Sequence, residues 1–300
     1  MRHLLILKYI EKIARTGSLR SAAEELGITP SALNRRILGI EEELGMEIFE
    51  RHHSGLRPNL AGEIFLRHIR NQIADMDRVK SRIADLSGMR AGRINIASTQ
   101  ELAQFFLPDL IKQHLQEFPA VTFGINLYER GQAEASLLDN SNDIALVFEP
   151  IRLNDMQIVY SGNQQVFCLM SAQHPLASKK NLKIYDCANF PMLLPKRFEG
   201  IRQIVDAAAA KVAIVLEPAV ESNSLDLLHL ISYNSEALSF CLEVNLGPDL
   251  EKDRLVAVPL DIKGIGGGNL VAGHLRGRTL PVAAARFLEN VIKEFSLRYS

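Results

Sequence analysis

The chain has 300 residues, a formal net charge of −1, 47% hydrophobic and 23% charged residues. That length suits two or three domains of ~100–150 residues each, and the composition excludes wholesale disorder. With acid and base so evenly balanced the chain is no polycation, so any contact with nucleic acid must come from a local basic surface. Apolar runs are short: Leu4–Leu7 ends at Lys8, and the stretch from Ala207 to Leu216 is broken by Lys211. Neither could cross a bilayer or serve as a secretory signal, so a cytoplasmic protein with no membrane partner is expected. The three cysteines, Cys168, Cys187 and Cys241, are far apart in sequence among apolar neighbours. They read as reduced, buried thiols and not as a redox pair.

Leu4, Leu7, Ile10, Ile13 and Ala14 recur at helical spacing, predicting an amphipathic first helix. Gly17 suits the left-handed end of that helix and Ser18 the N-cap of a second, from about Leu19 to Leu26, carrying the small pair Ala22-Ala23. Gly27 closes it. Thr29 then caps a third helix with Pro30 at its first position, where the missing N–H costs nothing. Leu33, Ile37 and Ile40 face inward, leaving Ser31, Asn34, Arg35 and Arg36 outward. Two helices across a glycine turn, the second with a polar and basic outer face, form a helix-turn-helix over residues 19–38. Its second member is expected to enter the major groove of duplex DNA by its N-terminal half, through Thr29, Ser31, Ala32, Asn34, Arg35 and Arg36. Asn34 is long enough for a bidentate contact to adenine. Short extended pieces on either side of Ser54-Gly55 predict a hairpin wing, whose Arg51 and Arg57 would face phosphate or pair with Glu41-Glu42-Glu43.

Asn59 is a good N-cap for a long helix whose Ile69, Ile73, Met76, Ile83 and Leu86 keep a near-heptad seam, a pattern expected of a helix that pairs with a second copy. A hinge at Gly88–Gly92 follows. Beyond it, strand 93–98, helix 101–117, strand 121–128, helix 133–138 and strand 143–148 give the β-α-β-α-β order of a mostly parallel sheet under helices. Further strands are expected at 156–160, 165–171, 191–194, 238–242 and 255–260, with helices at 199–211, 224–232 and 280–296. The expected division is a DNA-binding domain over 1–58, a linker helix over 59–89 and a ligand-binding domain over 90–300. Within the last, one lobe takes 90–162 with 268–300 and the other takes 163–267.

The stretch Thr16-Gly17-Ser18-Leu19-Arg20-Ser21-Ala22-Ala23-Glu24-Glu25-Leu26-Gly27-Ile28-Thr29 resembles the LysR-type transcriptional regulators. The match continues through Ser31–Ile37, Ile40–Gly45, Phe49-Glu50-Arg51 and Ala61-Gly62-Glu63. It departs at Pro30-Ser31, where the family usually has Gln-Pro, at Asn34 in place of a common Ser, and at Pro58-Asn59 in place of Leu-Thr. These departures bear on the operator sequence and not on the fold. The resemblance implies an α+β multidomain chain: a winged helix-turn-helix, a dimerising linker helix and a two-lobed α/β effector domain like that of periplasmic binding proteins. It also implies a homotetramer built as a dimer of dimers, an operator with an interrupted inverted repeat, a small-molecule effector and RNA polymerase as a further partner. The effector is expected to be an anionic or polar metabolite bound between the two lobes.

Open α/β sheets bind ligands beyond the C-terminal strand ends. That places Ser98, Thr99 and Gln100, followed by a helix N-terminus, together with Phe148 and the segment containing Arg197 and Phe198, at an effector site. Arg197 would be a bidentate carboxylate clamp or a plain surface charge, and Ser98 and Thr99 would be ligand contacts or helix caps. His52-His53 lacks further ligands at metal-binding spacing, and Gly264-Ile265-Gly266-Gly267-Gly268 lacks the Gly-Lys-Ser/Thr ending of a phosphate loop and reads as a return crossing between lobes. No catalytic motif, metal or cofactor is expected. The other class considered, a solute-binding protein or an enzyme carrying a DNA-binding-like domain, would need an export signal or a reactive constellation.

Overall fold

The computed structural model describes residues 3–52, 55–86, 91–247, 254–262 and 267–299. The chain divides into two compact units, one built on Met1–Ile83 and the other on Ala84–Leu138 and Asn142–Ser300.

The smaller unit comprises α1 (His3–Thr16), α2 (Leu19–Leu26), α3 (Pro30–Leu44), the antiparallel hairpin β1 (Phe49–His52) and β2 (Gly55–Pro58), and α4 (Leu60–Leu86). Its core gathers Tyr9, Ile10 and Ile13 from α1, Ala22 and Ala23 from α2, Leu33, Ile37 and Ile40 from α3, and Leu66 and Ile69 from α4. Each buried Leu or Ile here contributes ~1.5–3 kcal/mol relative to exposure. Local chemistry sets the ends. Ser18 accepts from Ser21 N–H at 3.3 Å, Thr29 from Ala32 N–H at 3.3 Å and Asn59 from Gly62 N–H at 2.8 Å. Gly17, Gly27 and Gly45 take the left-handed conformation at helix ends.

The α4 seam divides in a way that heptad spacing conceals. Ile69 is fully buried in the core of the smaller unit and Ile73 packs against it. Leu60 (80%), Ile64 (68%), Val79 (48%) and Ile83 (59%) are left exposed. Given ~100° per residue, Leu60 and Ile64 lie about 140–180° around the helix from Ile69, and Val79 and the seam residue Ile83 about 40–80° from it. The side chain of Leu86 lies outside the described residues.

In the larger unit, lobe I is a five-stranded sheet in the order β4-β3-β5-β12-β6. Its strands are β3 (Gly92–Ser98), β4 (Val121–Leu127), β5 (Ile144–Phe148), β6 (Met156–Gln164) and β12 (Gly268–Leu275). Helices α5 (Phe106–Glu117), α6 (Gln132–Leu138) and α10 (Val282–Arg298) cover it. The rings of Phe106 and Phe295 stack at 4.2 Å, pinning α5 to α10. Lobe II holds an antiparallel sheet of β10 (Ser239–Leu242), β7 (Val166–Ser171) and β11 (Leu255–Pro259), and the parallel pair β8 (Met192–Pro195) and β9 (Pro218–Ser222). Helices α7 (Ile184–Cys187), α8 (Gly200–Lys211) and α9 (Leu225–Ser232) complete it.

Several sequence expectations are corrected. The parallel sheet holds for β3 with β4 and β5, but β12 lies antiparallel between β5 and β6. The strands β9 and β12 and the single turn α7 escape sequence reading because Pro218-Ala219-Val220-Glu221-Ser222 is mostly exposed and β12 is rich in Gly, Asn and His. The glycine run is divided: residues 263–266 lie outside the described residues, while Gly267 and Gly268 are wedged against neighbours, a Cβ on either falling 2.1 Å from the Gln164 carbonyl oxygen or 2.0 Å from the Phe148 ring. Gly268 therefore opens a sheet strand. The helix expected from Glu101 begins instead as a 3₁₀ turn at Gln100–Leu102, and α5 starts at Phe106. Pro108 explains the break, since a proline is accommodated in the first turn of a helix and not in its interior.

Candidate nucleic-acid interface and ligand cleft

The outer face of α3 begins at Thr29, whose Oγ1 lies 3.2 Å from Ser31 Oγ while accepting from Ala32 N–H. Thr29, Ser31 and Arg35 are exposed, and Ala32 and Asn34 are half-buried beside them. Arg36 is exposed but occupied: its guanidinium lies 4.9 Å over the Tyr9 ring of α1. On the wing, Arg57 is exposed and pairs in register with Glu50, whereas the Arg51 side chain lies outside the described residues. Glu41 accepts from Ile48 N–H at 2.9 Å, which engages it in fixing the approach to β1. Two cations of this unit are offset locally: Lys12 and Arg15 meet Glu25 at 2.7 and 2.8 Å and hold its carboxyl below the usual carboxylate range. Cationic groups thus stand on the α3 face and the wing, elements with which helix-turn-helix proteins read a duplex, while Lys8, Arg20 and Arg67 are further exposed cations of this unit.

His52 stands exposed 3.3 Å from Glu50, His53 lies outside the described residues, and no metal-ligating cluster occurs among the described residues. Cys168, Cys187 and Cys241 are free and buried. Burial pushes the Cys241 thiol up to about 12, and burial with the neighbouring Cys187 pushes Cys168 well up. The fold thus brings Cys168 and Cys187 together, although they are far apart in sequence, in a setting that disfavours the reactive thiolate.

In the larger unit, the residues expected at the effector site converge where the ends of β3 and β5 meet the segment before α8. Ser98, Thr99 and Phe148 are fully buried. Ser98 donates to the Thr99 carbonyl at 2.9 Å, and Thr99 Oγ1 accepts from Phe148 N–H at 3.2 Å. The Thr99 hydroxyl ties the end of β3 to β5 and bonds the Glu101 carboxyl, the Ser98 hydroxyl bonds its own neighbour, and neither caps the following 3₁₀ turn. Gln100 reaches across to lobe II, its Oε1 accepting from Leu225 N–H at 3.3 Å. Phe148 forms a wall: a Cβ on Gly200 would lie 2.7 Å from its ring. Phe198 is 40% exposed at the rim. Arg197 is exposed, so the clamp expected there is not sunk into the cleft. The buried arginine nearby is Arg202, already engaged by Asp206, Glu221 and the Pro195 carbonyl.

Three residues at this junction escaped sequence reasoning. Arg130 donates to the carbonyls of Phe198 at 3.1 Å and Glu149 at 2.9 Å, tying lobe I to lobe II. Glu101 is buried with its Oε2 lacking a hydrogen-bond partner, and burial raises its carboxyl above the ordinary range. Glu199 is pushed up to about 7 by burial, by Glu101 and by Glu129, against the pull of Arg130. The only sequence signal was position, a Glu just past a strand end and a Glu before a glycine that opens a helix.

Residues 4–63 match the model of the bacterial regulatory helix-turn-helix proteins of the lysR family, and residues 87–296 match the LysR substrate binding domain. The transcriptional activator CmpR of Synechocystis is 24% identical over 227 residues, covering 76% of this chain and 74% of the relative. Full-length OxyR from Pseudomonas aeruginosa superposes with a TM-score of 0.72 at 19% identity, over 98% of this chain and 95% of that one. Full-length CbnR complexed with its target DNA gives 0.66 at 18% identity, over 97% and 99%. The chain belongs to the LysR family: it is a DNA-binding transcription regulator whose larger unit is a binding domain for a small-molecule effector.

Proposed function

We propose that α3 is the recognition helix, reading an operator through Thr29, Ser31, Ala32, Asn34 and Arg35, with Arg36, Arg51 and Arg57 on phosphate. The observation that carries this reading is the exposed polar and cationic α3 face next to a glycine-anchored wing, with Lys12 and Arg15 of α1 offset by Glu25. The exposed apolar residues of α4, Leu60, Ile64, Val79 and Ile83, pair with those of a second copy, and two such dimers form the tetramer. Paired recognition helices would span half-sites about 34–36 Å apart or a multiple of that, matching a pseudo-palindromic operator.

The effector binds where Gln100, Phe198 and the neighbours of Phe148 meet, over a floor made by Ser98 and Thr99, with Arg197 at the rim. Its binding shifts the balance between two arrangements of the chain only by its differential affinity for them. The protein acts by binding in the cytoplasm, with DNA and RNA polymerase as partners, and carries out no turnover. Among the described residues no helix is long and apolar enough to cross a membrane.

A gel shift and footprint on the DNA upstream of the chain's own gene test the assignment. Arg35→Ala combined with Ser31→Ala should abolish the footprint while the far-UV circular dichroism stays that of the parent. A footprint retained by that variant would remove α3 from the operator.

A further inference from the structure

Burying a carboxyl without a counter-charge is costly, so such groups persist where they are protonated, paired or met by a ligand. Two glutamates of the larger unit fit that description and come from opposite lobes. Glu101 follows β3 and is 1% exposed, with Oε2 unpartnered. Glu199 precedes α8, is 7% exposed and does not cap its own helix. Contacts bring their segments together. Gly200 abuts the Phe148 ring, Phe148 N–H is bonded to Thr99, and Arg130 holds the Phe198 carbonyl. Each carboxyl lies within the field of Arg130, whose Nε and Nη1 are engaged by the Phe198 and Glu149 carbonyls.

We propose, on the reading of this junction as the effector cleft, that it recognises a small organic ligand bearing a protonated amine, seated between Glu101 of lobe I and Glu199 of lobe II. An ammonium brings three donors and one positive charge to a place that offers the unpaired Glu101 Oε2 and a Glu199 carboxyl already repelled by Glu101 and Glu129. A carboxylate ligand would add a third negative group to that repulsion. A hard divalent cation needs six or more oxygen ligands, and no cluster of that kind occurs among the described residues. Because its two acceptors belong to different lobes, an amine bridging them favours the arrangement that holds both, which is the differential affinity an effector requires.

The experiment uses full-length protein at neutral pH with n-butylamine, 1,4-diaminobutane, lysine and arginine set against n-butanol and n-butyrate. Amines should raise Tm in proportion to the logarithm of concentration, and calorimetry in two buffers of different ionisation heat should show release of up to one proton as Glu199 ionises. Glu101→Gln and Glu199→Gln preserve shape and should each weaken amine affinity about tenfold or more, equivalent to ~1.4 kcal/mol. Stabilisation by butyrate alone, amine binding unchanged in both variants, no response to any amine, or binding without proton release in the wild type would each overturn the proposal. Operator binding measured on the same preparations separates the readings. Intact gel shifts with no amine response remove only the ligand class, whereas absent gel shifts count against the regulator reading itself.

Discussion

A Cβ placed on Gly55 would stand 2.2 Å from the carbonyl oxygen of Gly17, the oxygen that accepts from Leu56 N–H at 2.8 Å. The wing therefore rests on the turn between α1 and α2 by backbone contact, with Phe49 and Leu56 packed on the core of the smaller unit. Gly55 also has φ of 123°, a conformation that side chains disfavour. Gly55→Ala should cost about 1–3 kcal/mol of stability in the smaller unit and weaken operator affinity by displacing the Arg57 side of the wing. Chemical denaturation and gel-shift titration would check this; an unchanged midpoint would show that the wing is free of the turn.

Arg35 and Arg36 adjoin in sequence but differ in surroundings, since Arg36 lies over Tyr9 and Arg35 has no such ring contact. Arg36→Ala should lower stability by ~0.5–1 kcal/mol and reduce the salt slope of DNA binding by about one unit. Arg35→Ala should leave stability unchanged and relax discrimination at one base position by ~1–3 kcal/mol. Thermal denaturation and affinities across a series of salt concentrations separate the two roles.

Burial, with Glu101 and Glu129, pushes the Glu199 carboxyl up to about 7 from its ordinary value of 4.5, against the pull of Arg130. The folded state therefore binds more protons than the unfolded chain between these values. The stability linked to this group is fully present below about 4.5 and is lost as pH rises through 7. The loss is on the order of 3 kcal/mol, and Glu199→Gln should flatten it. Urea midpoints of wild type and variant from pH 4.5 to 8 would read the difference; parallel curves would show that Glu199 is an ordinary exposed acid.

Asp143 and Arg278 form an ion pair at 3.0 Å with both side chains buried, and Asp143 also accepts from Asn95 N–H at 3.0 Å. Asp143→Ala leaves the guanidinium without its carboxylate and should cost ~3–5 kcal/mol. Denaturation of the larger unit measures it, and a loss below 1 kcal/mol would mean that Arg278 finds another partner.

Residues 1–60 were legible because their signals are local. Gly17, Ser18, Gly27, Thr29, Pro30 and Asn59 each set a helix end through their own side chain or their own freedom in φ, so spacing alone locates α1 to α4 and the wing. The order β3, α5, β4, α6, β5 was legible for the same reason, through the period of its apolar residues. What required the tertiary structure was every property that depends on residues far apart in the chain. Spacing assigns Ile69 to a seam, but only packing shows that it fills the core of the smaller unit, leaving Leu60 and Ile64 outside. Arg197 has the right chemistry for a clamp but an exposed position. Glu101 and Glu199 lie 98 positions apart in the sequence, and nothing in either neighbourhood marks them. Both carboxyls acquire their character from desolvation, and Glu199 also from Glu101, effects of burial and distance that exist only once the two lobes are folded.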